Sequence, residues 1–186
     1  MKNITILIDK LKKYWENYIS EENISNQFIN FLNKYKEKSF VKDNVEWHIT
    51  GSIIVFNKDY TKTLLMHHKK LWFWVNFWWH CDWDTNIINT SIRELEEEAW
   101  IPILENNINK NIFDISIQEI PKHWNTEKHL HYDIRYFVCI DENIKYKKQE
   151  IEVNDIKWFN INDLNKIDCT NNISDMLKKI ILKKSK

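Results

Sequence analysis

Glycine is almost absent from this chain: the 186 residues contain one, Gly51. A typical chain carries roughly 7% glycine, so about a dozen are expected. Cysteine is scarce and unpaired in pattern. Cys81, Cys139 and Cys169 are odd in number and scattered, which excludes a disulfide framework or a CxxC metal pair and makes a reducing cytoplasm the default setting. Net charge is also missing. Lys plus Arg and Asp plus Glu are both 27, so there is no electrostatic case for a nucleic-acid or anionic-membrane partner. No apolar run approaches the roughly 20 residues of a membrane span. The apolar N-terminal stretch over residues 1–9 is too short for a signal peptide. There is no internal repeat and no linker.

What is present in excess is tryptophan, ten in all. Hydrophobic content of 43% and charged content of 29% fit a soluble globular protein, and the length suits one domain with a good core plus a small extension. Ile4, Leu7, Leu11, Tyr14 or Trp15, and Tyr18 recur at helical spacing, as do Ile24, Phe28, Phe31 or Leu32, and Tyr35. They predict helices over about 3–19 and 23–37, with Ser20 as the turn or cap between them. Segments 48–57 and 62–69 predict strands joined by the polar turn 58–61. A short apolar piece at 71–77 leads to a loop at about 78–85, then a helix from about 86 to 99. Strands follow near 112–119, 129–140 and 156–159, and helices near 161–165 and 172–182. Interleaved strands and helices give an α/β class with a mixed sheet and helices on both faces. Residues 1–40 form a candidate N-terminal helical extension, too short to hold a core alone. Residues 41–186 form the main domain. The basic end from Lys178 to Lys186 reads as a solvated helix terminus favoured by the helix dipole.

The helix at 86–99 carries the chemistry. At about 100° per residue, with Glu94 at zero, Glu97 falls at about 300° and Glu98 at about 40°, while Leu95, Ile88, Ala99 and Ile92 lie between about 100° and 160°. One face packs; the other presents carboxylates of the kind that hold hard divalent cations such as Mg²⁺. Like charges this close repel unless a cation or Arg93 offsets them. The plain alternative is a solvated acidic helix face.

The surrounding residues decide between these. Arg93-Glu94-Leu95-Glu96-Glu97-Glu98-Ala99, with Ile101 after it, resembles the box of the Nudix hydrolases, G-x5-E-x7-R-E-U-x-E-E-x-G-U, where U is a bulky aliphatic. Trp79 and Trp100 occupy its two glycine positions, and Thr85 stands where its first Glu belongs. Trp78-Trp79-His80-Cys81-Asp82-Trp83-Asp84 is similar to the GGHxDGD stretch of one subset of that family. Trp47-His48-Ile49-Thr50-Gly51-Ser52 is similar to the subset's first strand (GHxTxS), and residues 64–74, 129–133 and 150–159 to later ones. The resemblance implies a Nudix-like α/β/α sandwich with a mixed sheet. It implies hydrolysis of the pyrophosphate in a nucleoside diphosphate linked to another moiety, with Mg²⁺ or, in its place, Mn²⁺. By the same resemblance Glu97 and Glu98 ligate metal, Glu94 ligates metal or orients the attacking water, Arg93 braces the carboxylates, and Glu152 supplies a further carboxylate. The partner implied is a small-molecule nucleotide, with no nucleic acid or membrane. A homodimer stays open, since many relatives dimerise. A non-catalytic nucleotide-binding or regulatory module on the same fold is the rival, favoured by Thr85. A diphosphate isomerase ranks below it.

Substrate would be approached by Trp78, Trp79 and His80 in the loop before the helix. His129, His131 and Asp133 alternate on a strand and share one face. Contact of His131 and Asp133 with substrate, or a metal role for the set, competes with a polar, half-exposed strand face. His67 and His68 face opposite sides, so at most one could reach a ligand. Cys81 beside His80 hints at a nucleophile pair, but adjacent loop residues rarely form one.

Glycine at a tight phosphate loop supplies positive φ and close backbone approach; at the residue after a helix it takes the left-handed conformation. Tryptophan supplies neither. UGA is a stop codon in the standard code, Trp in one variant code and Gly in another. A UGA-as-Gly gene read with the Trp table would place Trp at 47, 72, 78, 79, 83, 100 and 124, while Trp74 and Trp158 stand where the family carries an aromatic and Trp15 is left open. The coding DNA is therefore expected to show UGA at those seven positions. UGG at 78, 79 and 100, or an intact mass matching ten tryptophans, overturns this.

Overall fold

The computed structural model describes residues 2–42, 47–122 and 127–169, together with 173, 179 and 180. The expected helix at 172–182, the basic end and Trp124 fall largely or wholly outside the described residues. In chain order the elements are α1 (Lys2–Asn17), α2 (Glu22–Tyr35), β1 (Trp47–Asn57), β2 (Lys62–His68), β3 (Trp74–Val75), β4 (Phe77–His80), α3 (Ile87–Ala99), β5 (Asp114–Ile120), β6 (His129–Ile140) and β7 (Val153–Asn160). The segment expected as a loop from 78 begins as strand β4. Its alternating backbone pairs with β1. Residues 161–166 wind as a 3₁₀ helix. Ser20 lies in a 3₁₀ turn and caps nothing; α2 begins after Glu21 without a side-chain cap.

Hydrogen-bonded neighbours follow the order β3-β2-β1-β6-β5, with β4 on β1 and β7 on β2. β1–β2, β2–β3, β2–β7 and β5–β6 are antiparallel, and a parallel bridge joins Trp74 to Cys169. No helix among the described residues is long and apolar enough to cross a membrane.

Two compact units emerge, the division cutting through β1, β4, α3 and β6. The first comprises Met1–Ser52, Trp78–Ser91 and Asn109–Tyr136. In it, α1 buries Ile4, Leu7, Leu11 and Tyr14 along the stripe that their spacing predicts. Buried Ser25 of α2 donates to the Leu11 carbonyl at 2.9 Å. Phe31 stacks on Tyr132 of β6 at 4.4 Å, and Phe28 meets the same ring edge-on at 5.0 Å. The N-terminal helices thus complete their core on strand residues, as two short helices must. The one glycine, Gly51, sits in β1 where a Cβ would lie 2.7 Å from Ile87 Cγ2 and 3.2 Å from Ser91 Oγ. Only a residue without a side chain lets α3 come this close.

The second unit comprises Ile53–Phe77, Ile92–Ile108 and Phe137–Lys186. Its core is the apolar run of β1 and β2, with Val55 opposite Leu64 and β7 along the other edge of β2. Trp74 packs edge-on against Phe159 at 4.6 Å, as an ordinary aromatic does.

The tryptophans divide by backbone. Trp72, Trp83 and Trp100 have φ of 59°, 75° and 55°, and these same three are 69%, 63% and 61% exposed. Trp47, Trp78 and Trp79 lie in extended strands. The left-handed region costs a side-chain-bearing residue about 1–2 kcal/mol, partly offset when glycine replaces it because glycine loses more chain entropy on folding. Trp100→Gly is expected to raise stability by about 0.5–1 kcal/mol in urea unfolding. Trp74→Gly is expected to lower it by about 3 kcal/mol or more through the lost packing. A fall for Trp100→Gly as large as that for Trp74→Gly would refute the strain.

Candidate functional site

Helix α3 packs with a buried stripe that includes two of its carboxylates. Glu94 and Glu98, one turn apart, are 1% and 4% exposed beside fully buried Leu95 and Ala99, while Glu96 and Glu97 face outward. This corrects the expectation of an acidic face turned wholly outward, since only Glu97 of the three carboxylates is exposed. Glu94 and Glu98 fall at the edge of the apolar stripe, and packing covers them. Ile92, expected inside, is half-buried.

Within the second unit, Arg93 Nη1 lies 2.8 Å from Glu94 Oε1 and 3.5 Å from Glu97 Oε2. One guanidinium thus spans a buried and an exposed carboxylate. Glu98 Oε2 is buried without a hydrogen bond. Burial first, then the charges of Glu152 and Glu97, push the Glu98 carboxyl up from 4.5 to about 7.

The way Glu152 reaches this helix end follows from backbone needs. The last carbonyls of a helix lack intrahelical partners. Here Lys147 N–H donates to the Ala99 carbonyl and Gln149 N–H to the Glu98 carbonyl, each at 3.0 Å. The Gln149 side-chain oxygen then accepts from the N–H groups of Ile151 and Glu152, both at 2.7 Å. Glu152 is held from outside by Lys70, whose Nζ donates to Oε1 at 3.0 Å, and through its carbonyl by Lys69 N–H at 2.8 Å. Trp100 donates its N–H to the Glu96 carbonyl at 2.9 Å in its left-handed conformation, the termination that glycine usually supplies.

In the first unit, β5, β6 and β1 build a buried polar face. Asp133 Oδ1 accepts from Thr50 at 3.0 Å and Ser52 at 2.7 Å, and Oδ2 accepts from Arg135 Nε at 2.7 Å. Arg135 also donates to Asp114 at 2.7 Å and to Ser116 at 2.8 Å. Burial would pull the Arg135 guanidinium down, but Asp133 and Asp114 outweigh it and hold it above its usual range. Asp133, expected as a substrate contact, thus has both carboxylate oxygens engaged by protein donors. The strand face is buried, not half-exposed. The alternation Asp133-x-Arg135 opposite Thr50-x-Ser52 carried the signal for this network. What it lacked was the partner strand Asp114-x-Ser116.

His131 is buried on the same face. Its ring stands 4.6 Å from that of His48, 5.3 Å from His80 and 4.8 Å from His129. Burial, then the neighbouring His48, His80 and His129, push its pKa far down, so it stays neutral. Trp78 and Trp79 are half-buried in β4, with the Trp78 ring 5.2 Å from His131 and the Trp79 ring 6.3 Å from His80. Cys81 is fully buried and burial raises its thiol pKa well above the ordinary range, so it offers no thiolate to pair with His80. In the second unit, His68 Nδ1 accepts from Lys70 N–H at 3.1 Å and is buried, while half-buried His67 meets Asn154 at 3.0 Å. Thr85 accepts from Asn3 at 2.9 Å.

The Glu98 shift gives a signed expectation. Its folded-state pKa lies above its ordinary value, so the folded protein binds the proton more tightly than the unfolded chain. The associated stability is fully present below about pH 4.5 and is lost as pH rises through about 7, a loss on the order of 3 kcal/mol. The melting temperature without divalent cations should fall across that window, and Glu98→Gln should flatten the fall. An unchanged slope in Glu98→Gln would contradict the assignment.

No family model matches the chain, and no curated protein matches it. Solved structures do. The MutT protein from Methanosarcina mazei superposes with a TM-score of 0.59 at 13% identity over 76% of this chain and 97% of that one. The Escherichia coli dihydroneopterin triphosphate pyrophosphohydrolase gives 0.58 at 10% identity over 73% and 95%. The Nudix domain of Shewanella oneidensis NrtR, complexed with ADP ribose, gives 0.57 at 16% identity over 83% and 96%. At these identities the likeness establishes the architecture: the chain has the α/β fold of the Nudix proteins, with a mixed sheet and helices.

Proposed function

We propose that this protein is a Nudix-type pyrophosphohydrolase that uses Mg²⁺, or Mn²⁺ in its place, to cleave the pyrophosphate of a nucleoside diphosphate linked to another moiety. ADP-ribose-like compounds, nucleoside triphosphates and dinucleotides all fit that class. The observation that carries the reading is Glu98 Oε2, a buried carboxylate oxygen without a hydrogen bond, whose carboxyl is pushed up first by burial and then by the charges of Glu152 and Glu97. A buried oxygen of this kind calls for a partner, and a bound cation would supply one. Oxygen donors of this kind suit Mg²⁺, so the residues fit the ion.

Glu97 and Glu98 would hold the ion, with Glu94 as a further ligand or as the group that orients and deprotonates the attacking water. Bound Mg²⁺ supplies neutralisation of the diphosphate charge and acidification of a bound water. Arg93, already paired with Glu94 and Glu97, fixes the direction of both carboxylates. Glu152, tied to the helix end through Gln149 and to Lys70, would be the extra ligand or base. Trp78, Trp79, His80 and His131 are kept as candidate substrate contacts on the first unit's own strands. The proposal includes a cytoplasmic setting and a small-molecule partner; a homodimer is left to measurement.

Thr85 supports a second reading, a nucleotide-binding module without catalysis. Its hydroxyl is taken up by Asn3, and it brings no carboxylate where the family's first box Glu stands.

A panel of ADP-ribose, dinucleotides and nucleoside triphosphates with Mg²⁺, followed by product chromatography, separates the readings. Cleavage of at least one compound is expected, with Glu97→Gln lowering kcat by about 10²-fold or more. Full activity in Glu97→Gln would show that the metal site is misplaced. Binding of nucleotide with no cleavage of any compound would favour the binding module.

A further inference from the structure

The polar face of the first unit holds an arrangement to which the pyrophosphatase reading assigns no metal, although that reading counts His80 and His131 among its candidate substrate contacts. His48 of β1, His80 of β4 and His131 of β6 each offer a ring nitrogen, and the three nitrogens lie within 4.8 Å of one another. Among the described residues this is the group of three potential ligands that converges so closely. All three sit on strands, with β4 paired to β1, so the backbone fixes their spacing more firmly than a loop would. A tetrahedral Zn²⁺ with Zn–N distances of about 2.0–2.1 Å brings its nitrogens to roughly 3.3–3.5 Å apart. Small rotations of the three rings would close the remaining gap.

A fourth histidine fixes the tautomer of the third. His129 Nδ1 lies 2.8 Å from the Glu127 carbonyl oxygen. A carbonyl only accepts, so Nδ1 carries the proton and His129 Nε2 presents a lone pair. That Nε2 lies 3.0 Å from His131 Nε2, which must then donate. In that tautomer His131 keeps Nδ1 as a lone-pair donor, the form in which an imidazole nitrogen can bind a metal. This is the arrangement in which an outer hydrogen bond orients a ligating imidazole.

We propose that His48, His80 and His131 bind one divalent transition-metal ion, Zn²⁺ by the chemistry of the donors, with a fourth position for water or an anion, and that His129 is the positioning residue that presents His131. Three imidazoles select borderline metals over Mg²⁺, which prefers oxygen. The site is thus chemically separate from the carboxylates of α3 and does not depend on their role.

The full-length protein is stripped with a chelator, dialysed against Zn²⁺ and assayed for metal by elemental analysis. Competition with a chromophoric chelator then gives the affinity. One zinc per chain is expected, and Co²⁺ in its place should give the intense visible bands of a tetrahedral site. His80→Gln, at a half-buried strand end, should weaken zinc by at least about 100-fold, and His129→Gln by about 10-fold to 100-fold although its ring is not a ligand. Glu98→Gln should leave zinc content unchanged. Circular dichroism checks that each variant is folded, and the Co²⁺ spectrum of the unmutated chain stands whatever a variant does. No zinc retained by the unmutated protein, an octahedral Co²⁺ spectrum, or zinc that survives His80→Gln and disappears in Glu98→Gln overturns the proposal.

Discussion

Asp133 accepts three hydrogen bonds inside the protein, and that buried carboxylate organises the strand face around it. Thr50 and Ser52 reach it from β1, and Arg135 reaches it along β6 and continues to Asp114 and Ser116 on β5. A charged group taken out of water is costly unless its lone pairs are filled, and removal of one partner from such a set commonly costs about 3–5 kcal/mol. Each hydroxyl and guanidinium nitrogen must therefore keep its register. A slip of one residue in β6 would turn Asp133 and Arg135 to the other face and leave Thr50, Ser52 and Asp114 without partners. The histidines inherit this precision. His131 is two residues from Asp133 and His48 two from Thr50, so the register that satisfies the ion network also sets the imidazoles beside one another.

The acidic helix obeys a different constraint. Gly51 lets the first turn of α3 approach β1 at a distance that no side chain would permit. At the other end, the carbonyls of Glu98 and Ala99 are capped by N–H groups from the segment that carries Glu152. The need to satisfy helix-end carbonyls thus delivers a carboxylate distant in sequence to Glu98. Two carboxylates are buried on α3 because the apolar stripe is wide enough to cover them, and that burial is the first cause of the raised pKa of Glu98.

The tryptophans show where sequence and backbone disagree. Trp72, Trp83 and Trp100 combine a left-handed backbone with an exposed indole, although tryptophan favours neither. Trp74, packed on Phe159, behaves as its residue type predicts. The chain turns at 72, 83 and 100 as if the side chain were absent. Trp47, Trp78 and Trp79 show no such strain, because an extended strand accepts any residue.

The sequence by itself determined the α/β class, the two amphipathic N-terminal helices, most strand positions and the acidic helix, because each rests on local periodicity of 3.6 or 2. It also marked three of the turns where glycine is expected. It did not determine which carboxylates are buried, since Glu94, Glu97 and Glu98 differ only in their angle to a surface supplied by other segments. Nor did it show that His129, His131 and Asp133 face inward. Alternation places them on one side of β6 but does not say whether that side is wet. Only the tertiary structure decided these points, because burial and hydrogen-bond satisfaction depend on residues brought from β1, β4 and β5, tens of positions away in the chain.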